Sequence, residues 1–436
     1  MGSSVPLKQQ AAQQSRVIQN FRWYICGLLF YATTVNYMDR MVLSILEPVI
    51  SRDLHWSNTA YGTINSIFQA GYAIMIPLAG RVMDWLGLRV GYSLAASLWS
   101  LSSMAHALAR TAGQFSLARL GLGLGEAANF PACIKAVADW FPKRERALAT
   151  GIFNSGSNLG PVLGPLFVPF VATKFGWHAA FIFTGTLSAS WVILWLLVYR
   201  EPEEHPRLSR EELALIRSDH EEPLTKAVPY RDLLRKKAAW AFIIGKFLTD
   251  PVWWFYLTWL PGFLSRKYNL NLQHLGAPLI AVYAVSAVGS VAGGWLSSSL
   301  LRHGWEVGKA RKTAMLICAL CVTAVVFVPS AGGNLWLAVA LVAIAAAAHQ
   351  GWSANLFTVA SDNFPRTAVG SVVGLGGFGG ALGGSVVQIS VGKWLDFSHG
   401  AYGPIFWIAG GMYLLALLIM QFFLPRSRNG SASVVA

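Results

Sequence analysis

Charge is what this sequence has least of. Asp, Glu, Lys and Arg supply 12% of its 436 residues, against 54% apolar ones, and the mean hydropathy is +0.47. An ordinary soluble domain carries about a quarter charged residues, so a water-soluble globular chain is excluded. Acids are scarcer than bases, 20 against 34. Cysteine is scarce too: Cys26, Cys133, Cys318 and Cys321 all fall in apolar stretches, where they read as small apolar fillers and give no disulfide framework. No His/Cys/Asp cluster has metal spacing and no Gly-x-Ser-x-Gly elbow is present, which argues against a membrane-bound enzyme and leaves no cofactor to expect. Alternating ten-residue segments are also missing, so the chain is not read as a β-barrel.

What is there is length of apolar helix. About 20 apolar residues cross the hydrocarbon of a bilayer. Windows of that size give twelve spans: 19–46, 58–82, 89–109, 112–138, 147–173, 177–199, 238–265, 276–301, 310–330, 334–360, 367–393 and 402–424. Backbone polar groups in lipid must be satisfied within each segment, so the spans are expected to be helices. The fold class is an all-α integral membrane protein.

The net charge of +14 gathers in alternate loops. Lys8, Arg16 and Arg22 precede span 1, Arg81 and Arg89 follow span 2, and Lys143, Arg144 and Arg146 follow span 4. Arg235 to Lys237 precede span 7, Arg302, Lys309, Arg311 and Lys312 follow span 8, Arg366 follows span 10, and Arg426 and Arg428 close the chain. This is topology and not a nucleic-acid footprint. It puts both termini and the even-numbered loops in the cytoplasm of a cell (inner) membrane protein. The stretch Met1–Gln19 reads as a cytoplasmic tail, since no small-residue cleavage pattern follows an apolar region.

Residues 200–237 form the one long polar break, with nine of the 20 acids. It is read as a solvated linker containing a short surface helix capped by Ser209. The expected organisation is a tail at 1–20, a six-helix half at 21–199, this central loop, a second six-helix half at 238–425 and a tail at 426–436. The halves echo each other: Asp139-Trp140-Phe141-Pro142-Lys143-Arg144 after span 4 recurs as Asp362-Asn363-Phe364-Pro365-Arg366 after span 10. Each copy leads into a Gly/Ser-rich helix. Parallel six-span repeats place a binding site between them at the midplane.

Gly80, Asp84, Gly87 and Arg89, after span 2, resemble the G-x-x-x-D-x-x-G-x-R/K loop of the major facilitator superfamily. Its glycines permit a tight turn, and Asp84 can pair with a cation on a neighbouring helix end. The echo after span 8 has Ser298 in place of the acid.

Only three acids lie deep inside spans: Asp39, Glu126 and Asp250. Low dielectric disfavours an ionised carboxyl and a nearby arginine favours it; that competition is what proton coupling requires. Arg119 and Glu126 are seven residues apart on one face of span 4, about 10 Å along the axis, and Gly121, Gly123 and Gly125 between them allow close approach. The pair is read as coupling machinery, with a structural ion pair as the alternative. In span 1, Asn36, Tyr37 and Arg40 share a face at i, i+3 and i, i+4 spacing. A guanidinium grips a carboxylate bidentately, so Arg40 reads as a clamp for an anion, the alternative being that it neutralises Asp39 or Glu126. In span 10, His349, Gln350, Trp352 and Asn355 suit a polyhydroxylated ligand. In span 7, Lys246 and Asp250 stand at i, i+4 and either pair or serve a site, and Trp253 and Trp254 read as an interfacial belt or a site wall. Asn154, Ser155 and Ser157 in span 5 and Gln388 in span 11 carry less weight, since such residues also glue helices.

The segments Asn36-Tyr37-Met38-Asp39-Arg40, Gln69-Ala70-Gly71-Tyr72, Gly125-Glu126-Ala127-Ala128-Asn129-Phe130-Pro131 and Phe153-Asn154-Ser155-Gly156-Ser157 resemble the anion:cation symporter family within that superfamily. The runs Lys246–Trp254 and Ala348–Leu356 are most similar to bacterial hexuronate transporters. The resemblance implies two six-helix halves and proton-driven import of a sugar acid such as glucuronate or galacturonate. It puts proton carriers on Asp39 and Glu126, the carboxylate clamp on Arg40, and substrate or coupling contacts on Tyr37, Tyr72 and Arg119. A glutamine often stands in sugar-acid relatives where this chain has Ser157. The implied partners are a small carboxylate, protons and the bilayer, with a monomer expected and no nucleic acid. Open alternatives are another carboxylate (an aldonate, an aromatic acid or a ureide) and an uncoupled facilitator or exchanger.

Overall fold

A computed structural model describes residues 19–218, 229–364 and 366–423; the tails and residues 219–228 of the central loop lie outside them. Every predicted span is helical. The first six are Arg22–Asp53, Asn58–Leu86, Leu88–Ala105, a broken fourth made of Ala112–Glu126 and Asn129–Trp140, then Lys143–Phe175 and Trp177–Val198. The last six are a broken seventh made of Lys237–Thr258 and Leu260–Tyr268, then Leu272–Arg302, Val307–Val322 continued by a 3-10 stretch to Ala331, Leu335–Asn363, Arg366–Phe397 and Gly403–Phe423.

Local chemistry sets the ends. Ser57, Thr111, Ser209, Asn271 and Asn334 each accept a backbone N–H three residues on, the usual way an orphan donor is satisfied. Gly87 (φ +74°) and Gly176 (φ +83°) separate consecutive helices with almost no loop, a conformation that costs glycine little. Span 4 breaks after Glu126 because Pro131 has no N–H to give the carbonyl of Ala127. The first span runs to Asp53, seven residues past the apolar window, because Glu47 finds a cation there.

Six helices are long and apolar enough to cross a membrane by length and composition alone: Trp177–Val198, Leu272–Arg302, Val307–Ala331, Leu335–Asn363, Ala368–Phe397 and Gly403–Phe423. Five of these belong to the last six spans. The others are charged, glycine-rich or broken, and they pack into the same bundle. Span 1 lies against span 5, span 3 against span 6, and span 2 against span 4; span 8 lies against span 10 and span 7 against span 11.

The two sets meet where span 2 packs on span 11 and span 5 on span 8. The span 2–span 11 seam is tight at one end. Asp396 accepts from the N–H groups of Asn58 (2.9 Å) and Thr59 (2.7 Å) and from Asn58 Nδ2 (2.8 Å), and Ser66 and Ser385 share a 2.7 Å hydrogen bond. Further along, a methyl on Gly377 would touch Ile76 at 3.4 Å. Past that point the helices part, for a methyl on Gly80, Gly374 or Gly370 would meet nothing within 4 Å. The bundle is thus sealed at the end away from the Asp84 loop, hereafter the far end.

The start of the central segment is docked, which corrects the solvated-linker reading. Helix Arg210–Arg217 presents Glu212, which accepts from the N–H groups of Phe21 (2.9 Å) and Arg22 (3.1 Å) and pairs with the Arg22 guanidinium at 2.8 Å. Arg22 also pairs with Glu145 at 2.8 Å. His205 lies against Phe21, ring centroids 4.2 Å apart.

Candidate functional site

The site starts from two adjacent side chains that helix geometry throws to different faces of span 1. Asp39 and Arg40 are neighbours in sequence, about 100° apart around the helix, and they do not pair. Asp39, 2% exposed, accepts from Ser103 on span 3 (2.8 Å) and Ser188 on span 6 (2.6 Å). Arg40 turns the other way: its Nε meets Glu126 on span 4 at 2.6 Å and its Nη2 donates to Asn36 Oδ1 at 3.1 Å. Four rings surround the guanidinium, Tyr37 at 4.5 Å, Tyr72 at 4.8 Å, Trp254 at 5.3 Å and Phe68 at 5.6 Å. Such cation–π contacts in a desolvated site are worth about 2 kcal/mol or more in total.

Glu126 has one oxygen on Arg40, and its Oε1 is buried without a partner. The carboxylate sits at the break of span 4, where the glycines behave as expected: a methyl on Gly125 would come within 2.7 Å of Trp99 N. The expected Arg119–Glu126 partnership is corrected, for Arg40 holds the acid. Arg119, 2% exposed, reaches only the carbonyl of Arg40 at 3.4 Å and the face of Phe68 at 5.5 Å. Its Nε is buried and unpartnered, and among the described residues no carboxylate lies at ion-pair distance. Arg40 and Arg119 share a small cavity with Asn65, Gln69, Trp254, Thr258 and Gln388. At about 20 Å³ it has room for roughly one water. Gln69 Oε1 and Asn36 Nδ2 are buried without partners beside this centre.

Several residues singled out in the sequence lie elsewhere. Trp352 is fully buried with its ring edge on Tyr413, centroids 5.4 Å apart, so it cannot stack on a ligand here. Asn355 gives its amide to the carbonyls of Gly293 and Gly351, both 2.9 Å away, and so joins span 8 to span 10. His349 bonds Tyr413 and stacks on Trp253 at 5.1 Å. Ser157 donates back to Asn154 O at 2.7 Å, because a mid-helix serine has a free carbonyl within reach. Gln350 is half-buried and takes no contact at Arg40. Trp254 fills the place given to Trp352: one residue round span 7 from Trp253, it faces span 2, and the apolar run gave no sign of which tryptophan would. Phe68, Asn65, Ser103 and Ser188 went unassigned, since short polar residues in an apolar helix carry no signal of direction.

Away from the centre, Asp84 pairs with Lys135 of span 4 at 2.5 Å, Arg89 donates to Leu196 O of span 6 at 2.6 Å, and Gly80 and Gly87 flank them. Lys246 pairs with Asp250 at 2.9 Å on its own helix and lies 4.7 Å over the ring of Phe357.

Comparison with known proteins agrees with this architecture. The Major Facilitator Superfamily model matches residues 29–388. The chain is 31% identical over 413 residues to a hexuronate transporter of Escherichia coli (strain K12), covering 93% of this chain and 94% of that one. It is 35% identical over 283 residues to a galacturonate transporter of Dickeya chrysanthemi, covering 64% and 82%. Among solved structures, a D-xylose-proton symporter superposes with a TM-score of 0.72 at 18% identity over 93% of this chain and 98% of that one, a likeness of fold.

Proposed function

The chain belongs to the major facilitator superfamily of membrane transporters, and from that premise we propose that it is a proton-coupled symporter importing an anionic sugar acid, a hexuronate such as glucuronate or galacturonate. The observation that carries this reading is Arg119, a buried guanidinium left without an ion-pair partner among the described residues beside the Arg40–Glu126 pair. Arg40 has Glu126, Arg119 has no carboxylate at ion-pair distance among the described residues, and amide side chains stand around both. An anion is the ligand that completes such a centre. The sugar-acid relatives support the substrate class.

The coupling follows from competition for Arg40. When Glu126 takes a proton it loses its hold on the guanidinium, which then grips a substrate carboxylate. When the substrate leaves, Arg40 returns to Glu126 and favours its ionised form, so the proton departs on the same side. Asp39, held by two serine hydroxyls, is the second proton carrier, and the two acids titrate as a coupled pair. The cavity must open to admit a sugar acid, which the parting of six-helix halves 21–199 and 238–425 provides. With the basic loops, both termini and the 200–237 loop in the cytoplasm of the inner membrane, the sealed far end faces outward. Ser157, spent on its own helix, favours as second reading a carboxylate that needs no long hydrogen-bonding arm there.

Glu126→Gln tests the coupling, since it mimics the protonated acid permanently. In liposomes with an imposed pH gradient it should still exchange labelled for unlabelled substrate but fail to accumulate it. Accumulation driven by the gradient in Glu126→Gln would remove Glu126 from the mechanism and leave Asp39 to carry the proton alone.

A further inference from the structure

At the far end, outside everything assigned above, a cavity of about 420 Å³ lies among spans 7, 9, 11 and 12 and the start of span 2. Its polar lining is Arg266, Lys267, His399, Asn58 and Tyr402, its walls include Phe263 and Phe406, and no Asp or Glu lines it. That volume is in the range of small-molecule sites, roughly 300–1,000 Å³. The nearest acids are already engaged. Asp396 spends both oxygens on Asn58 and Thr59, and Glu47 bonds Ser51 at 3.0 Å and pairs with Arg266. Lys267 has no ion-pair partner among the described residues. A helix C-terminus favours cations, which accounts for basic residues at the end of Leu260–Tyr268; it does not account for a cavity that also gathers the Asn58 amide at the start of span 2 and the Tyr402 phenol just before span 12.

Arg266 is the link. Its Nη2 pairs with Glu47 across the seam between spans 1 and 7, while its Nη1 donates to Tyr402 at 3.2 Å on the cavity side. The two partners differ in exposure: the Arg266 side chain is 42% exposed and that of Glu47 is 3%. Glu47 also keeps one buried oxygen, Oε2, without a partner. The carboxylate therefore depends on Arg266, whereas Arg266 can be offered another anion by the cavity.

We infer that this cavity is a second anion site, which takes a small soluble carboxylate on Arg266 and Lys267 and by drawing Arg266 from Glu47 loosens the far-end seal. The inference rests on the proposed function for the side that this end faces and for a carboxylate as the transported ligand. A ligand arriving there would weaken the contact that bars its way, so capture and opening become one event.

The test uses the full chain in lipid nanodiscs and reads the acylation rate of Lys267 by mass spectrometry, with glucuronate, gluconate and citrate as probes. At twice its dissociation constant a bound carboxylate should slow Lys267 acylation about threefold, with Lys309 at the opposite end unaffected. The slowing should persist in Arg40→Lys, whose central clamp is impaired. No slowing by any of the three overturns the site. So does slowing that vanishes in Arg40→Lys, which would make it an echo of the centre, or slowing produced only by anionic phosphatidylglycerol in the disc. Persistent protection with no sugar acid transported would leave this site standing and remove the proposed substrate. For the seal, Lys267→Gln should raise the half-saturation concentration for uptake from the far-end side severalfold and leave that from the other side unchanged. Equal shifts on both sides would show a merely structural lysine and overturn the link to opening.

Discussion

The first six spans and the last six treat buried charge in opposite ways. In the first six, Asp39, Arg40, Arg119 and Glu126 come from two helices, and their partners, Ser103 and Ser188, come from two more. In the last six, the buried Lys246 pairs with the half-buried Asp250 one turn away on the same helix. Contacts between helices change when helices move. A pair within one helix keeps its geometry wherever the helix goes. The difference teaches that the first six can register motion in their protonation, while the last six supply a wall: Trp254 over Arg40, and Gln388, which donates to Thr258 at 3.0 Å and accepts from Trp259 at 2.7 Å. The apolarity of the two sets follows from this division, since five of the six plainly membrane-crossing helices are in the last six.

Breaking the first set should have the larger effect. Arg40→Lys keeps the charge and loses the planar fork that serves Glu126, Asn36 and the substrate in turn. Uptake should fall about tenfold or more, from roughly 1.5–3 kcal/mol for a charge-assisted hydrogen bond. Near-normal substrate affinity in Arg40→Lys would end the clamp assignment and with it the contrast between the halves.

The converse experiment is on span 7. Asp250→Asn alone strands a buried ammonium and should destabilise the protein by about 3–5 kcal/mol. The double replacement Lys246→Met with Asp250→Asn removes both charges. It should restore a folded protein that accumulates substrate within about threefold of the parent, or ~0.7 kcal/mol. If the double variant folds and binds substrate but no longer accumulates it, coupling is not confined to the first six spans.

Asp84 sharpens the comparison at the surface. Its carboxylate is 72% exposed, so the pair with Lys135 is worth at most about 1 kcal/mol. Asp84→Asn should slow net uptake by altering how spans 2 and 4 hold together during switching, and equilibrium binding measured in detergent should stay within about twofold. A large loss of binding would connect this loop to the central site.

How much of this was legible in the sequence differs by kind of information. The spans were, because a bilayer imposes a length on apolar runs; edges failed where a charge found a partner, as at Glu47. The central charges were legible because any ionised group at that depth is costly: Asp39, Arg40, Arg119 and Glu126 all lie together. Their pairing was not. Seven-residue spacing suggested Arg119 for Glu126, yet the partner came from another helix, and only the fold sets which helices face each other. Span 10 misled for the same reason: Trp352 and Asn355 have the composition of a sugar site, but which face of a buried helix looks inward is decided by its neighbours.

The smallest expected effect lies in the docked central segment, where a titration should be readable outside the membrane. His205 packs against Phe21 and meets Trp140 edge to face. Burial there pushes the imidazole below its ordinary value; the bond to Val198 O opposes this, and Arg200 and Arg207 add to it while Glu212 counters. In the neutral form both nitrogens are satisfied: Nε2–H donates to Val198 O at 3.1 Å and Nδ1 accepts from the N–H of Arg207 at 3.2 Å. Protonation would put a second donor at Nδ1, facing that N–H. The sign follows from linkage. With a depressed folded value, the undocked segment binds more protons than the docked one, so docking strengthens as pH rises. The contribution is complete above the ordinary imidazole value of about 6.5 and is lost progressively as pH falls from there through the lower value of the docked imidazole. Hydrogen exchange across residues 201–218 should therefore quicken between about pH 7.5 and about pH 5.5. His205→Asn, which can keep one donor and one acceptor but cannot take up a proton in this range, should flatten that dependence once the intrinsic effect of pH on exchange is removed. An equal response in both proteins would mean that Glu212 and Arg22 hold the segment alone.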